Sequence, residues 1–396
     1  MKRFFALTVA NLLAALLLFG CVHVDPEPEP GPAPQPQPQP EEKVFYTIKP
    51  LAEMTLREKV GQLFNIRPEA LDPTSASMQT TGSSALTEGF NRYPCGGITL
   101  YAANIKTPSQ IKEFTKFLHG LGNYPLLCID EEGGRVTRIA CNGNFNVAKY
   151  DSMLSIGNTG DPSNAYLAGD NIGGYLALYG FDVDLAPVSD VNTNPQNVVI
   201  GDRAFGSSPE LVADMASRFL AGLQFNHVEG CLKHFPGHGD TKADTHYGYA
   251  ESLKTWTEIS GCEMVPFRKC IQDGARMVMT AHICLPNVTG DQTPATLSPL
   301  ILQDKLRGEL GFKGIIISDS MAMGAITQEY SSADAAVAAI EAGVDIVLDP
   351  ADYAIAFEAV VKAVESGRIS QAQLDERVAR ILDLKKQILQ QRGQLK

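Results

Sequence analysis

The chain has 396 residues, 44% of them hydrophobic, and a formal net charge of -12. Its 33 Lys and Arg form no cluster beyond ordinary helix faces, which argues against nucleic acid as a partner. No phosphate-cradling or dinucleotide-type glycine loop occurs, and the 8 cysteines include no CxxC pair, so neither a nucleotide cofactor nor a disulfide framework is expected.

In chain order, Met1-Lys2-Arg3 is a basic start, and Phe4 to Gly20 is an apolar run rich in Leu and Ala, short for a membrane span. It ends in LLFGC. Residues 1–20 resemble a bacterial lipoprotein signal peptide, which makes Cys21 the lipidated first residue of the mature chain. The resemblance implies a bacterial cell envelope location, lipid-anchored, on the periplasmic or the outer surface. Residues 21–43 carry proline at nearly every second position, which forbids helix and sheet ladders and favours an extended spacer.

The part from residue 44 to 396 is long enough for one large core. Short apolar, β-branched runs recur in it: VGQLFNI (60–66), GGITLYA (96–102), PLLCIDEE (125–132), FDVDLAPV (181–188), EGCLKHF (229–235), RMVMTAHI (276–283), GIIISDS (314–320) and VDIVLDP (344–350). Amphipathic segments separate them, such as 107–121 after the cap Thr107-Pro108 and 208–224 after Ser208-Pro209. Near-continuous apolar strands alternating with helices predict a parallel sheet covered by helices. Eight such units predict a single (β/α)8 TIM-type barrel with irregular first strands, closed by a last helix capped at Ser370 with Leu374, Val378, Ile381 and Ile388 on one face.

Several of these strands end in polar residues: Asp130 to Glu132, Lys233-His234, His282, Asp319 and Asp349. At the C-terminal face of a barrel such residues share one pocket. Asp319 ends four apolar residues and is held rigidly enough to act as nucleophile, base or ligand. In LKHFPGHGDTKADTHYG (232–248), three of the 7 histidines lie beside Asp240 and Asp244. A carboxylate next to an imidazole makes a proton shuttle near neutral pH. A metal set of His234, His238, Asp240 and His246 is the alternative, weakened by the glycines and proline between them, and a purely structural loop is a third reading. Hydrogen bonds that shape the loop are expected of His238 and Asp240.

The same stretch resembles the signature of the β-N-acetylglucosaminidase branch of family 3 glycoside hydrolases, the NagZ-like enzymes. Four more motifs agree and occur in the family's order: IDEEGGRVTRI (129–139), DLAPVSDVNTNPQNVVIGDRAFG (184–206), MTAHI (279–283) and ISDSMAMGA (317–325). The resemblance implies a retaining exo-β-N-acetylglucosaminidase that removes terminal GlcNAc from peptidoglycan-derived or related glycans. It makes Asp319 the nucleophile, His246 with Asp244 the acid/base dyad, and Asp130 the carboxylate that binds sugar hydroxyls. Arg138, Arg203, Lys233 and His234 then hold the sugar. Glu131 stands where Gln is common in the branch and is expected to alter the charge near Asp130.

Retaining hydrolysis needs a nucleophile and a proton donor on opposite sides of the glycosidic bond, and a loop His supplies the donor without a second anion beside Asp319. The expected partners are a carbohydrate and a membrane reached through the lipid anchor. No cofactor or metal is expected, and the protein is expected to be a monomer. A family 3 β-glucosidase or β-xylosidase, a metal-dependent barrel hydrolase and an inactive glycan-binding lipoprotein are the competing readings. Water and phosphate both stay open as final acceptor.

Overall fold

The computed structural model describes residues 44–241 and 250–396. Eight parallel strands pair in one sheet: β1 (Phe64–Ile66), β2 (Gly97–Thr99), β3 (Leu126–Ile129), β4 (Val183–Asp184), β5 (Glu229–Phe235), β6 (Met277–Thr280), β7 (Ile315–Ile317) and β8 (Val347–Leu348). The register runs β8-β1-β2-β3-β4-β5-β6-β7, and a parallel bridge from Ile317 to Ile346 joins the two remaining edges. The sheet is therefore a closed (β/α)8 barrel, and each predicted apolar run contributes one strand. Every residue of these strands is buried. That is why they read as continuous apolar runs and not as alternating ones.

The first run is shorter as a strand than expected. Leu56–Gln62 is a helix, opened by a capping box in which the Thr55 side chain accepts from Glu58 N–H and Glu58 accepts from Thr55 N–H. Those reciprocal bonds satisfy two orphan donors, so Val60 to Gln62 finish a helix and only Phe64–Ile66 extends. The helices after β2 and β4 follow the sequence closely. Pro108–His119 is capped by Thr107 and Pro209–Phe225 by Ser208. The last helix, Gln371–Gln391, is capped by Ser370 and buries Leu374, Val378, Ile381 and Ile388. Each such side chain contributes about 1.5–3 kcal/mol by leaving water.

Candidate active site

Polar residues at the C-terminal ends of the strands line a cavity of about 400 Å³. Asp130, Arg138, Arg203, Lys233, His234 and Asp319 all face it, as the sequence led us to expect. Asp244 and His246, together with Cys21, lie outside the described residues. Among the described residues, no group of three His, Cys, Asp or Glu could hold a metal ion.

Strand β5 explains how two consecutive residues reach one cavity. Regular pleating sends Lys233 and His234 to opposite faces. The β5–β6 register, however, slips between Leu232↔Val278 and Phe235↔Thr280, so three steps on β5 match two on β6. Such a bulge re-aims side chains. Both residues are buried and line the cavity. Here the Lys233–His234 peptide is cis.

The charges are paired around this bulge. Lys233 Nζ lies 2.9 Å from Asp130 Oδ1 and 2.6 Å from Glu132 Oε1. Arg203 makes a two-pronged pair with Glu132, at 2.8 and 2.7 Å, and Arg138 reaches Asp130 at 3.2 Å. Burial alone would raise the Asp130 carboxyl, but Lys233 and Arg138 override it and hold it below the ordinary value. Glu132, 1% exposed, is likewise pushed up by burial and pulled far below the carboxylate range by Arg203 and Lys233. Both carboxylates are thus anions, and the cavity presents fixed hydrogen-bonding charge to a polar ligand.

His234 is oriented by a residue that lay unremarked in the DLAPVSDV motif. Asp190, fully buried, accepts from His234 Nδ1 at 2.7 Å and from the backbone N–H of His238 at 2.6 Å. An acceptor on Nδ1 makes that nitrogen the protonated one and leaves Nε2 to accept, 3.3 Å from Arg203 Nη2. With the Arg203 guanidinium 3.3 Å from its free Nε2, His234 is a poor metal ligand, since a second cation there would be repelled.

The turn after β5 is packed against the barrel. Pro236 to Gly239 are all buried. Gly237 adopts φ 115°, and a Cβ there would meet Glu263; a Cβ on Gly239 would collide with the Val191 carbonyl. These glycines serve close packing. The turn's other bonds match expectation: His238 Nδ1 meets Thr241 Oγ1 at 2.7 Å, and Asp240 accepts from Ser252 Oγ at 2.9 Å.

Three further placements correct the sequence reading. Glu131 does not alter the cavity's charge. Its carboxylate is fully buried on the other side of the chain, where it accepts the N–H groups of Arg138, Ile139 and Ala140 and the Tyr175 hydroxyl. It therefore fixes the segment that carries Arg138. Asp349 does not line the cavity but accepts three bonds from Arg67, at 2.9, 2.9 and 2.7 Å. His282 is fully buried behind the wall.

The sequence reading placed Glu132 at the pocket without a role and passed over Arg67 and Tyr101; all three line the cavity. Arg67 stacks over the Tyr101 ring at 4.6 Å. For Glu132 a signal existed: two residues after Asp130 on an extended segment, it shares that residue's face.

Comparison with known proteins agrees with this geometry. Residues 55–384 match the family described as glycosyl hydrolase family 3 N terminal domain. A beta-hexosaminidase of Nitrosomonas eutropha is 38% identical over 257 residues, 64% of this chain and 73% of that protein. Beta-hexosaminidase A of Pseudoalteromonas piscicida is 34% identical over 348 residues, 80% of this chain but only 57% of that longer protein. The solved glycoside hydrolase family 3 β-N-acetylglucosaminidase from Paenibacillus sp. str. FPU-7 superposes with a TM-score of 0.78 at 35% identity, covering 85% of this chain and 63% of that one. A β-N-acetylhexosaminidase from Beutenbergia cavernae gives 0.75 at 29% identity, covering 85% of this chain and 99% of that one. This chain belongs to glycosyl hydrolase family 3.

Proposed function

We propose that the protein is an exo-β-N-acetylglucosaminidase that releases terminal GlcNAc, with retention, from peptidoglycan-derived or related glycans. The observation that carries this reading is a single cavity walled by Asp319 at the end of β7 and by the paired Asp130 and Glu132 after β3, Lys233 on β5 and Arg203 in the segment that follows β4. A sugar offers hydroxyls and an amide, and a wall of fixed anions and cations meets them with charge-assisted hydrogen bonds. Asp319 attacks the anomeric carbon, and His246, oriented by Asp244, delivers the proton to the leaving oxygen. The relatives named β-hexosaminidase support the amide-bearing sugar.

Product analysis tests the reading. GlcNAc-anhydroMurNAc, chitobiose and an aryl β-GlcNAc are each incubated with and without phosphate, and the first-formed anomer is read by NMR. Release of β-configured GlcNAc, or of the β-linked 1-phosphate when phosphate is present, agrees with an Asp nucleophile, because both acceptors enter from the same face. Faster cleavage of the aryl β-glucoside than of its GlcNAc analogue would sink the substrate assignment.

The basic start, the apolar run and the proline-rich spacer support lipidation at Cys21 and attachment to the cell envelope. Cys21→Ala should move the protein from the membrane to the soluble fraction.

A further inference from the structure

The MTAHI motif includes a histidine that the proposed chemistry leaves unused. His282 is 0% exposed, as are Thr280 and Thr296 beside it. Its Nε2 lies 3.0 Å from the carbonyl oxygen of Ser320, and its Nδ1 lies 2.9 Å from Thr296 Oγ1. A carbonyl only accepts, so Nε2 carries the proton. Burial holds this imidazole below its ordinary value against the opposing pull of Asp319, so it is neutral and its Nδ1 accepts. The Thr296 hydroxyl then shares its proton between Nδ1 and the Ala281 carbonyl, each 2.9 Å away, and Thr280 Oγ1, at 2.7 Å, fills a lone pair of Thr296. The chain of bonds has one direction, from Thr280 through Thr296 and His282 to Ser320.

Ser320 is the residue on which Asp319 rests. Its N–H donates to Asp319 Oδ1 at 2.7 Å, and its hydroxyl donates to Asp349 Oδ2 at 3.0 Å. Asp349 is in turn held by Arg67. Asp319 N–H donates to the Thr280 carbonyl at 3.1 Å, so Thr280 touches both ends of the same chain. Ser320 faces the cavity, while His282 clamps it from behind the wall.

We propose that His282 is the positioning residue of the nucleophile: its Nε2–H, aligned by Thr296, pins Ser320 so that the Ser320 amide fixes the Asp319 carboxylate. The inference rests on the reading of Asp319 as nucleophile. A carboxylate held by one oxygen cannot swing, and a misplacement of about 1 Å at a reacting atom can cost about 10²-fold in rate.

The test is a trapping rate. A 5-fluoro N-acetylglucosaminyl fluoride reacts as an Asp319 oxygen bonds to the anomeric carbon and fluoride leaves with its electron pair, a step that needs no proton donor. Mass spectrometry of the trapped wild-type protein places the label, and the variants give the rates. His282→Leu removes the donor and is expected to label Asp319 about 30- to 100-fold more slowly, with the affinity for GlcNAc within about twofold. His282→Gln, which restores an N–H near the Nε2 position, should recover most of that loss. A merely structural histidine would lower the melting temperature and leave the rate per folded molecule alone.

Thr296→Val provides a second reading should the leucine variant not fold. It keeps the ring, removes its alignment and should slow labelling about 5- to 10-fold, with Thr296→Ser restoring it. Labelling at the wild-type rate in folded His282→Leu or Thr296→Val overturns the positioning role alone. A label on any residue other than Asp319 in the wild-type protein overturns the nucleophile and the positioning role together.

Discussion

The two ends of the barrel use the same pairing for opposite purposes. Below the sheet, Asp182 precedes β4 and is fully buried. It accepts from Tyr124 Oη at 2.7 Å and Leu127 N–H at 2.8 Å, and it pairs with His119 at 2.8 Å and Arg392 at 2.7 Å. Asp345, just before β8, sits equally buried between Arg307 and Arg380. At the other end, Asp130 and Glu132 are held by Lys233, Arg138 and Arg203. The lower carboxylates bind helices and the C-terminal residues to the sheet. The upper ones do the same for strands but open on a cavity that can admit a ligand. A buried ion pair is thus no mark of a site in itself; what differs is whether its outer side is covered.

That contrast can be broken at either end. The largest effect is expected from Asp319→Asn, which should lower turnover of an aryl β-GlcNAc by at least about 10³-fold with an unchanged melting curve. Next, Asp182→Asn leaves Arg392 and His119 facing a neutral partner and should cost about 3 kcal/mol in denaturant unfolding, while kcat/KM of the folded protein stays as it was. Loss of activity in this variant without loss of stability would erase the distinction between the two ends.

Glu132→Gln sharpens the distinction from above. Arg203 and Lys233 lose their shared anion, and kcat/KM should fall about 30-fold, mostly through KM. A smaller effect concerns acid. The Asp182 carboxyl is raised by burial but brought down to about 2 by His119 and Arg392, against a model-peptide value of about 3.9. A depressed carboxyl gives stability that is complete above its unfolded value and lost as pH falls toward its folded one. Melting temperature should therefore drop between about pH 4 and pH 2 in the wild type and less steeply in Asp182→Asn.

How much of this was legible in the sequence depends on the distance over which a residue acts. Strand runs such as GIIISDS and the capped helix after Ser370 carry their signal locally, in burial and in caps, and the structure follows them. The clusters at β3, β5 and β7 were legible because chain direction in a barrel sends all strand ends of one kind to one face. The partners were not. Nothing near His234 points to Asp190, which is 44 residues away, and VGQLFNI looked like one strand because an apolar helix end and an apolar strand share composition. Asp130, Glu131 and Glu132 show a middle case. Their alternation foretold that the first and third share a face, but not that Glu131 would be fully used by three backbone amides.

The closed end of the barrel has a practical side. Tyr46, at the start of the described chain, bridges to Leu395, and its ring packs edge-on against His119 and Tyr124 in the Asp182 cluster. The polypeptide therefore enters and leaves the barrel side by side, on the face opposite the cavity. A bead, a fused domain or an immobilising surface joined just ahead of Val44 would meet that face, and the mouth of the cavity would look outward into solution.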